Sequence, residues 1–180
     1  MRFEPLALAA AVLAPSTAWA VDYLSADQAA QLIFPDADRF EAATVELDAA
    51  AMRRLQDAGV RARSARWPVQ AAKRGDAVLG YLVVDNVVGK FELIGYAVGL
   101  AHDLTIKQVE VLSYRESHGH EIRSPAWRRQ FVGKGPASAL RIGDDIANIS
   151  GATLSCEHVT EGVRRVVAVL AQARGEGALP

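Results

Sequence analysis

The chain has 180 residues, with 20 basic and 21 acidic side chains and a formal net charge of -1. This balance gives no electrostatic reason to expect a nucleic acid partner. Hydrophobic residues make up 51% of the sequence, enough for one domain to bury a core. Cys156 is the single cysteine, which excludes an internal disulfide, so stability must come from packing.

The first twenty residues have the order of a secretory signal peptide. Arg2 precedes an apolar stretch over residues 6–14, Pro15 interrupts that stretch, and the small-residue triplet 18–20 follows. The apolar stretch is shorter than the roughly 20 residues needed to span a bilayer. Because Glu4 offsets the charge of Arg2, an uncleaved membrane anchor is the alternative interpretation.

We therefore expect residues 1–20 to be a signal peptide and residues 21–180 to be one exported domain in the periplasm. Cleavage is predicted between Ala20 and Val21. No internal repeat, low-complexity tract or long linker divides the remaining sequence.

The first half of the mature sequence alternates helix and strand signals. Ser25 with Gln28 forms a capping-box pattern, and the helix that follows should end near Phe34, before Pro35. Residues 40–47 favour a strand.

A second helix is expected beyond that strand. Asp48 can cap it, and Gly59 is a typical helix terminator. Residues 61–70 are compatible with either a strand or a loop.

The middle of the chain is rich in β-branched and aromatic residues. Residues 78–84, 91–100 and 106–114 are predicted to form three strands, the last two joined by a tight turn. Connections this short favour three neighbouring antiparallel strands as the centre of a sheet.

Two helical signals follow these strands. Ser124-Pro125 is typical of a helix start and precedes Trp127 and Phe131 on adjacent turns. The clearest helix is the last, and it should end at Arg174-Gly175. Its apolar residues recur at steps of three and four: Val159, Val163, Val166 and Leu170. The predicted class is α+β, a single antiparallel sheet packed by helices with a long C-terminal helix.

The segment Ser150-Gly151-Ala152-Thr153 directly precedes this last helix. A helix N-terminus presents unpaired N–H groups and partial positive charge, which together suit a phosphate group. Small residues there allow another group to approach the backbone. The simpler alternative is that Thr153 or Ser155 only caps the helix.

The run from Ser150 through Leu154 and Ser155 resembles the flavin-attachment signature of the FMN-binding domain family. That family includes the flavin-carrying subunits of the Rnf complex and of the sodium-translocating NADH:quinone oxidoreductase. The resemblance implies that Thr153 carries FMN as a phosphoester, donated from FAD by a flavin transferase. It further implies that Ser150, Gly151 and Ala152 shape the turn beside the phosphate.

Two other features resemble the same family and occur in the same order. A strand runs into Glu116, Ser117 and Gly119, as in the family's loop beside the flavin. Trp127 with Phe131 matches a downstream aromatic pair. By this resemblance Glu116, Ser117, Gly119 and Trp127 join the predicted cofactor-binding residues.

The sequence departs from the family pattern at two places. Many attachment motifs have an acidic residue where this chain has Ala147, and this loop lacks the family's Thr-Pro-Gly. FMN could therefore bind without a covalent link. A separate alternative is a metal-binding or interaction module that uses His118 and His120, for which Cys156, His102 or His158 would have to complete the ligand set.

The resemblance implies an exported electron carrier within a membrane electron-transfer chain, rather than a stand-alone enzyme. No dinucleotide-binding fingerprint or nucleophile elbow is present, so the sequence offers no residues for oxidising a pyridine nucleotide or for hydrolysis. A redox partner protein is the expected partner. A flavin-sensing protein of the same fold is the alternative.

Overall fold

The computed structural model describes residues 21–116 and 118–180. The predicted signal peptide lies outside the described residues. In chain order the elements are β1 (Val21–Asp22), α1 (Ala26–Ile33), β2 (Arg39–Glu46), α2 (Ala49–Asp57), β3 (Arg66–Arg74), β4 (Ala77–Val88), β5 (Leu93–Ala101), β6 (Ile106–Tyr114), α3 (Pro125–Arg128) and α4 (Thr153–Gly175). Short 3-10 turns at His120–Arg123 and Arg129–Phe131 flank α3.

The strands form one six-stranded sheet in the order β1-β6-β5-β4-β3-β2, and every neighbouring pair is antiparallel. The three predicted central strands are neighbours, as expected. The predicted α+β class with a single antiparallel sheet is confirmed.

Helices cover both faces of the sheet. The apolar stripe of α4 is fully buried against one face, together with the large side chains of β4, β5 and β6. On the other face, α1 packs Ala29, Ile33 and Phe34 against Leu82 and Ala97. With both faces covered, the central strands are apolar at successive positions rather than alternating.

Local signals placed the first two helices correctly. Ser25 and Gln28 form the predicted capping box of α1, and Asp48 accepts a hydrogen bond from the Ala51 N–H to cap α2. Gly59 follows α2 with a φ of +70°, a conformation that glycine adopts without strain.

Strand β4 is longer than predicted because a polar residue continues it. The Asp85 carboxylate accepts the Tyr96 hydroxyl at 2.8 Å and pairs with Arg63, so its polarity is compensated inside the sheet. Strand β5 begins at Leu93 and not at Phe91, which lies in the β4–β5 turn. The ambiguous segment 61–70 is a strand from Arg66 onwards.

Two helix starts differ from prediction. Ser124 makes no capping hydrogen bond, and α3 is a single turn whose Trp127 packs edge-on against Phe131 at 5.2 Å between ring centroids. Helix α4 begins at Thr153, with Ala152 as its N-cap residue and no side-chain cap. The interpretation that Thr153 or Ser155 caps this helix is therefore wrong.

Among residues 21–116 and 118–180, no helix is long and apolar enough to cross a membrane.

Candidate functional site

A cavity of about 360 Å³ opens beside the first turn of α4. Its walls come from three segments: the β4–β5 turn, the loop after β6, and the residues that begin α4. The lining residues are Lys90, Phe91, Glu116, His118, Gly151, Ala152, Thr153, Leu154 and Ser155. The cavity thus brings together the predicted attachment motif and the predicted loop carboxylate.

Thr153 is the first residue of α4, and its side chain is exposed at the cavity. The Asn148 side-chain amide donates a hydrogen bond of 3.0 Å to the Thr153 hydroxyl oxygen. Gly151 has a φ of +86°, which a residue with a side chain rarely adopts. Because no side chain caps α4, its first N–H groups and its partial positive charge are directed at the cavity.

The loop after β6 is joined to α4 through Tyr114. The buried Tyr114 hydroxyl donates to the His118 carbonyl. The Ser155 hydroxyl lies 3.1 Å from the Tyr114 hydroxyl oxygen. Since the tyrosine has one proton and it is already donated, Ser155 acts as the donor in that second bond. Gly119 lies directly against this pair, because a Cβ at this position would be 2.5 Å from the Tyr114 oxygen.

Glu116 is buried, with 7% of its surface exposed. One of its carboxylate oxygens accepts hydrogen bonds from the Phe91 N–H at 2.6 Å and the Glu92 N–H at 3.0 Å. Burial alone would raise the pKa of Glu116, but backbone N–H groups of the turn, together with the Lys90 charge, outweigh it and lower the pKa. Glu116 is therefore an ionised carboxylate bound to the β4–β5 turn, a role that its position in the sequence did not indicate.

Three cavity residues were absent from the predicted cofactor-binding residues: Lys90, Phe91 and His118, the last of which was named only for the metal alternative. Phe91 is 75% exposed at the cavity, and the Lys90 ammonium lies 4.9 Å from the centre of its ring. Leu154, which was predicted, is 43% exposed and also lines the cavity. The sequence signal was the pair Gly89-Lys90, which is typical of a turn, placed immediately before an aromatic residue.

Three of the predicted cofactor-binding residues lie outside the cavity lining. Ser150 is exposed beside it, and Gly119 is buried behind it. Trp127 is 4% exposed in the core, where its indole N–H donates to the Ala147 carbonyl at 2.8 Å, just upstream of the motif. Ser117 lies outside the described residues.

The histidines do not come together as a metal site. The structure, as far as it is described, contains no group of three or more His, Cys, Asp or Glu side chains placed to hold a metal ion. His120 packs edge-on against the Tyr114 ring, and His158 contacts the Val88 carbonyl. Cys156 is buried, which raises the pKa of its thiol and disfavours the reactive thiolate.

The donor set of the cavity suits a flavin mononucleotide. Its volume lies within the range of about 300 to 1,000 Å³ that is usual for ligand sites. The uncapped N-terminus of α4, the Thr153 hydroxyl and the Lys90 ammonium are groups that bind or esterify a phosphate. Phe91 and Leu154 offer apolar surface for a ring system. The residues present therefore fit both ends of FMN.

Fold and cavity together define a small α+β domain with a cavity at a helix N-terminus, and the lining of this cavity suits an anionic, partly aromatic ligand. Residues 89–168 match the family model described as "FMN-binding domain". The fold is similar to the crystal structure of NqrC from Shewanella oneidensis, with a TM-score of 0.54 and 16% sequence identity over 80% of this chain and 88% of that chain. A comparison with curated proteins found no match.

Proposed function

We propose that this protein is an exported electron-transfer flavoprotein in which FMN is esterified through its phosphate to Thr153. One observation carries the proposal. The Thr153 hydroxyl stands at the exposed first residue of an uncapped helix and lines the cavity of an FMN-binding domain. When bound, FMN would supply one- and two-electron redox chemistry, while the protein fixes its position and potential.

Different residues of the chain would bind the phosphate and the ring system of FMN. The N-terminal N–H groups of α4 and the Lys90 ammonium offset the negative charge of the phosphate. Phe91 and Leu154 form the apolar part of the site. The Asn148 amide donates to the Thr153 oxygen and so restricts the rotation of that side chain.

Esterification requires an enzyme and a flavin donor. With FAD as donor, the Thr153 oxygen would bond to the FMN phosphorus as the pyrophosphate bond breaks. AMP would be the leaving group, and the hydroxyl proton would pass to a base of the flavin transferase. No acidic side chain occupies position 147 of this chain. Asp145 is turned away from the motif, since it accepts the N–H groups of Leu140 and Arg141.

Export and the redox role are supported by separate observations. The signal-peptide pattern of residues 1–20 supports export to the periplasm. The fold similarity to NqrC supports a place in a membrane electron-transfer complex with a redox partner protein. A covalent link suits this location, because occupancy then no longer depends on the concentration of free flavin.

Co-expression with a flavin transferase should give yellow protein heavier by one FMN moiety, and Thr153→Ala should abolish the added mass. Thr44→Ala, which removes an exposed threonine hydroxyl of β2 outside the cavity lining, is the matched control and should keep the added mass. The Thr153 side chain does not cap the helix, so the free energy of unfolding of the alanine variant should lie within about 0.5 kcal/mol of the parent value. Intact mass and peptide mapping give the result, and a flavin-modified peptide at Ser150 or Ser155 would refute the placement.

The second candidate function is non-covalent FMN binding or flavin sensing, favoured by Ala147 in place of the acidic residue. Acid precipitation separates the two. Esterified flavin remains with the precipitated chain, whereas non-covalent flavin passes into the supernatant.

A further inference from the structure

The β4–β5 turn, residues 89–92, forms one wall of the cavity and is held by side chains from two other segments. We infer that Glu116 and His158 are positioning residues that fix this turn, and with it Lys90 and Phe91, at the flavin cavity. The structural part of this inference concerns the protein alone. Its consequence for the flavin rests on the proposed function.

Glu116 holds the tip of the turn. Its carboxylate accepts two successive backbone N–H groups, those of Phe91 and Glu92, while the Gly89 N–H donates to the Glu92 carbonyl at 2.8 Å and closes the turn. A buried carboxylate that accepts backbone N–H groups forms charge-assisted hydrogen bonds, which are about twice as strong as neutral ones.

Gly89 makes this contact possible. A Cβ at this position would lie 2.6 Å from a Glu116 carboxylate oxygen and 3.0 Å from the end of the Ile94 side chain. Any side chain here would displace the carboxylate or the turn. Gly89 and Glu116 are therefore coupled sterically.

His158 holds the base of the turn. Its Nδ1 lies 2.6 Å from the Val88 carbonyl oxygen, and because a carbonyl only accepts, Nδ1 must carry the proton. His158 lies on the second turn of α4, the helix whose first residue is Thr153. This bond therefore ties the turn to the same rigid element that carries the attachment hydroxyl.

The turn needs such fixing because its own contacts are weak. Phe91 is 75% exposed and Lys90 is exposed, so burial cannot hold either side chain in place. A misplacement of about 1 Å is enough to alter the interaction of a positioned group with its ligand. We call the Glu116 and His158 side chains, with their hydrogen bonds to the turn, the two braces. They determine the position of this cavity wall relative to Thr153.

The test compares backbone amide exchange in the flavin-free protein for Glu116→Ala, Glu116→Gln, His158→Ala and His158→Asn. Glu116→Ala should speed exchange of the Phe91 and Glu92 amides at least tenfold, while the Ala97 amide in β5 stays protected. Glu116→Gln keeps an acceptor oxygen, so its exchange rates at these two amides should lie between those of the parent and of Glu116→Ala. His158→Asn places an amide N–H near the position of Nδ1, so it should restore the turn that His158→Ala loosens. Glu92→Gln removes a neighbouring charge without touching either brace and is the matched control.

A double-mutant comparison isolates the steric part. Gly89→Ala should loosen the turn in the parent but add little in the Glu116→Ala background. In the flavinylated protein, the loosening variants should also shift the flavin circular dichroism band and midpoint potential, and Glu92→Gln should not.

Unchanged exchange at Phe91 and Glu92 in Glu116→Ala, with the fold intact, overturns the inference. So does a loosened turn that leaves the flavin spectrum and potential of the loaded protein unaltered. If Thr153 carries no flavin, the proposed function fails while the exchange measurements still decide whether the braces exist.

Discussion

Replacement of Tyr114 by Phe tests whether the loop after β6 is anchored to α4 through one hydroxyl group. The substitution removes a single oxygen from a fully buried site and leaves the ring packing in place. Two partners then lose their hydrogen bond, the His118 carbonyl and the Ser155 hydroxyl. Leaving the buried Ser155 hydroxyl without this acceptor costs about 1–3 kcal/mol, whereas His118 is exposed, so water can replace the lost donor to its carbonyl.

We therefore expect Tyr114→Phe to lower the free energy of unfolding by about 1–3 kcal/mol, against a typical total of about 5–15 kcal/mol. Urea unfolding followed by circular dichroism measures the loss. The variant should stay folded but take up flavin more slowly in co-expression, because Ser155 and the His118 loop both line the cavity.

The sharper test is a double-mutant cycle with Ser155→Ala. In the parent, Ser155→Ala removes the donor of the second hydrogen bond; in Tyr114→Phe that hydroxyl already has no partner. Ser155→Ala should therefore lower the free energy of unfolding less in Tyr114→Phe than in the parent. If the two losses add within about 0.5 kcal/mol, the two hydroxyls do not interact and the reasoning is refuted.

Two further predictions concern titratable groups. The pKa of Glu116 is lowered in the folded protein, so its stabilisation of the turn is present above the ordinary glutamate value of 4.5 and lost as the pH falls through the folded value. NMR shifts of the Phe91 and Glu92 amides should report this acid release, and Glu116→Gln should abolish the pH dependence. Cys156, whose buried thiol has a raised pKa, should react with an aromatic disulfide reagent only at the rate of global unfolding; a fast reaction in native buffer contradicts its burial.

The elements that were predicted correctly are those whose signal is local. The capping residues of α1 and α2 satisfy backbone N–H groups within one turn, so four neighbouring residues contain the information. The apolar period of α4 and the β-branched runs of β4, β5 and β6 are equally local. Strand β4 was predicted too short because Asp85 is compensated by Tyr96 and Arg63, partners that only the fold brings near.

At the candidate site, too, the features with a local sequence signal were predicted, and those that depend on long-range contacts were not. The predicted attachment motif is contiguous in sequence, and its position at the start of α4 agrees with the prediction. The roles of Glu116 and His158 depend on backbone groups far away in the sequence, and no pattern of residue types announces a hydrogen bond to a remote carbonyl or N–H. Phe91 was assigned to a strand, because its aromatic character outweighed the turn signal of Gly89-Lys90.

The hydrogen bonds around the cavity join residues that are 25, 41 and 70 positions apart in the chain. Closing loops of this size costs conformational entropy, which rises with loop length and makes such contacts slow to form. An unfolded chain presents Thr153 only as part of a short segment of mostly small residues, without the cavity walls around it. Under the esterification proposed above, a modifying enzyme that recognises the cavity would act after folding, and an attached cofactor would mark the chains that have already reached the native state.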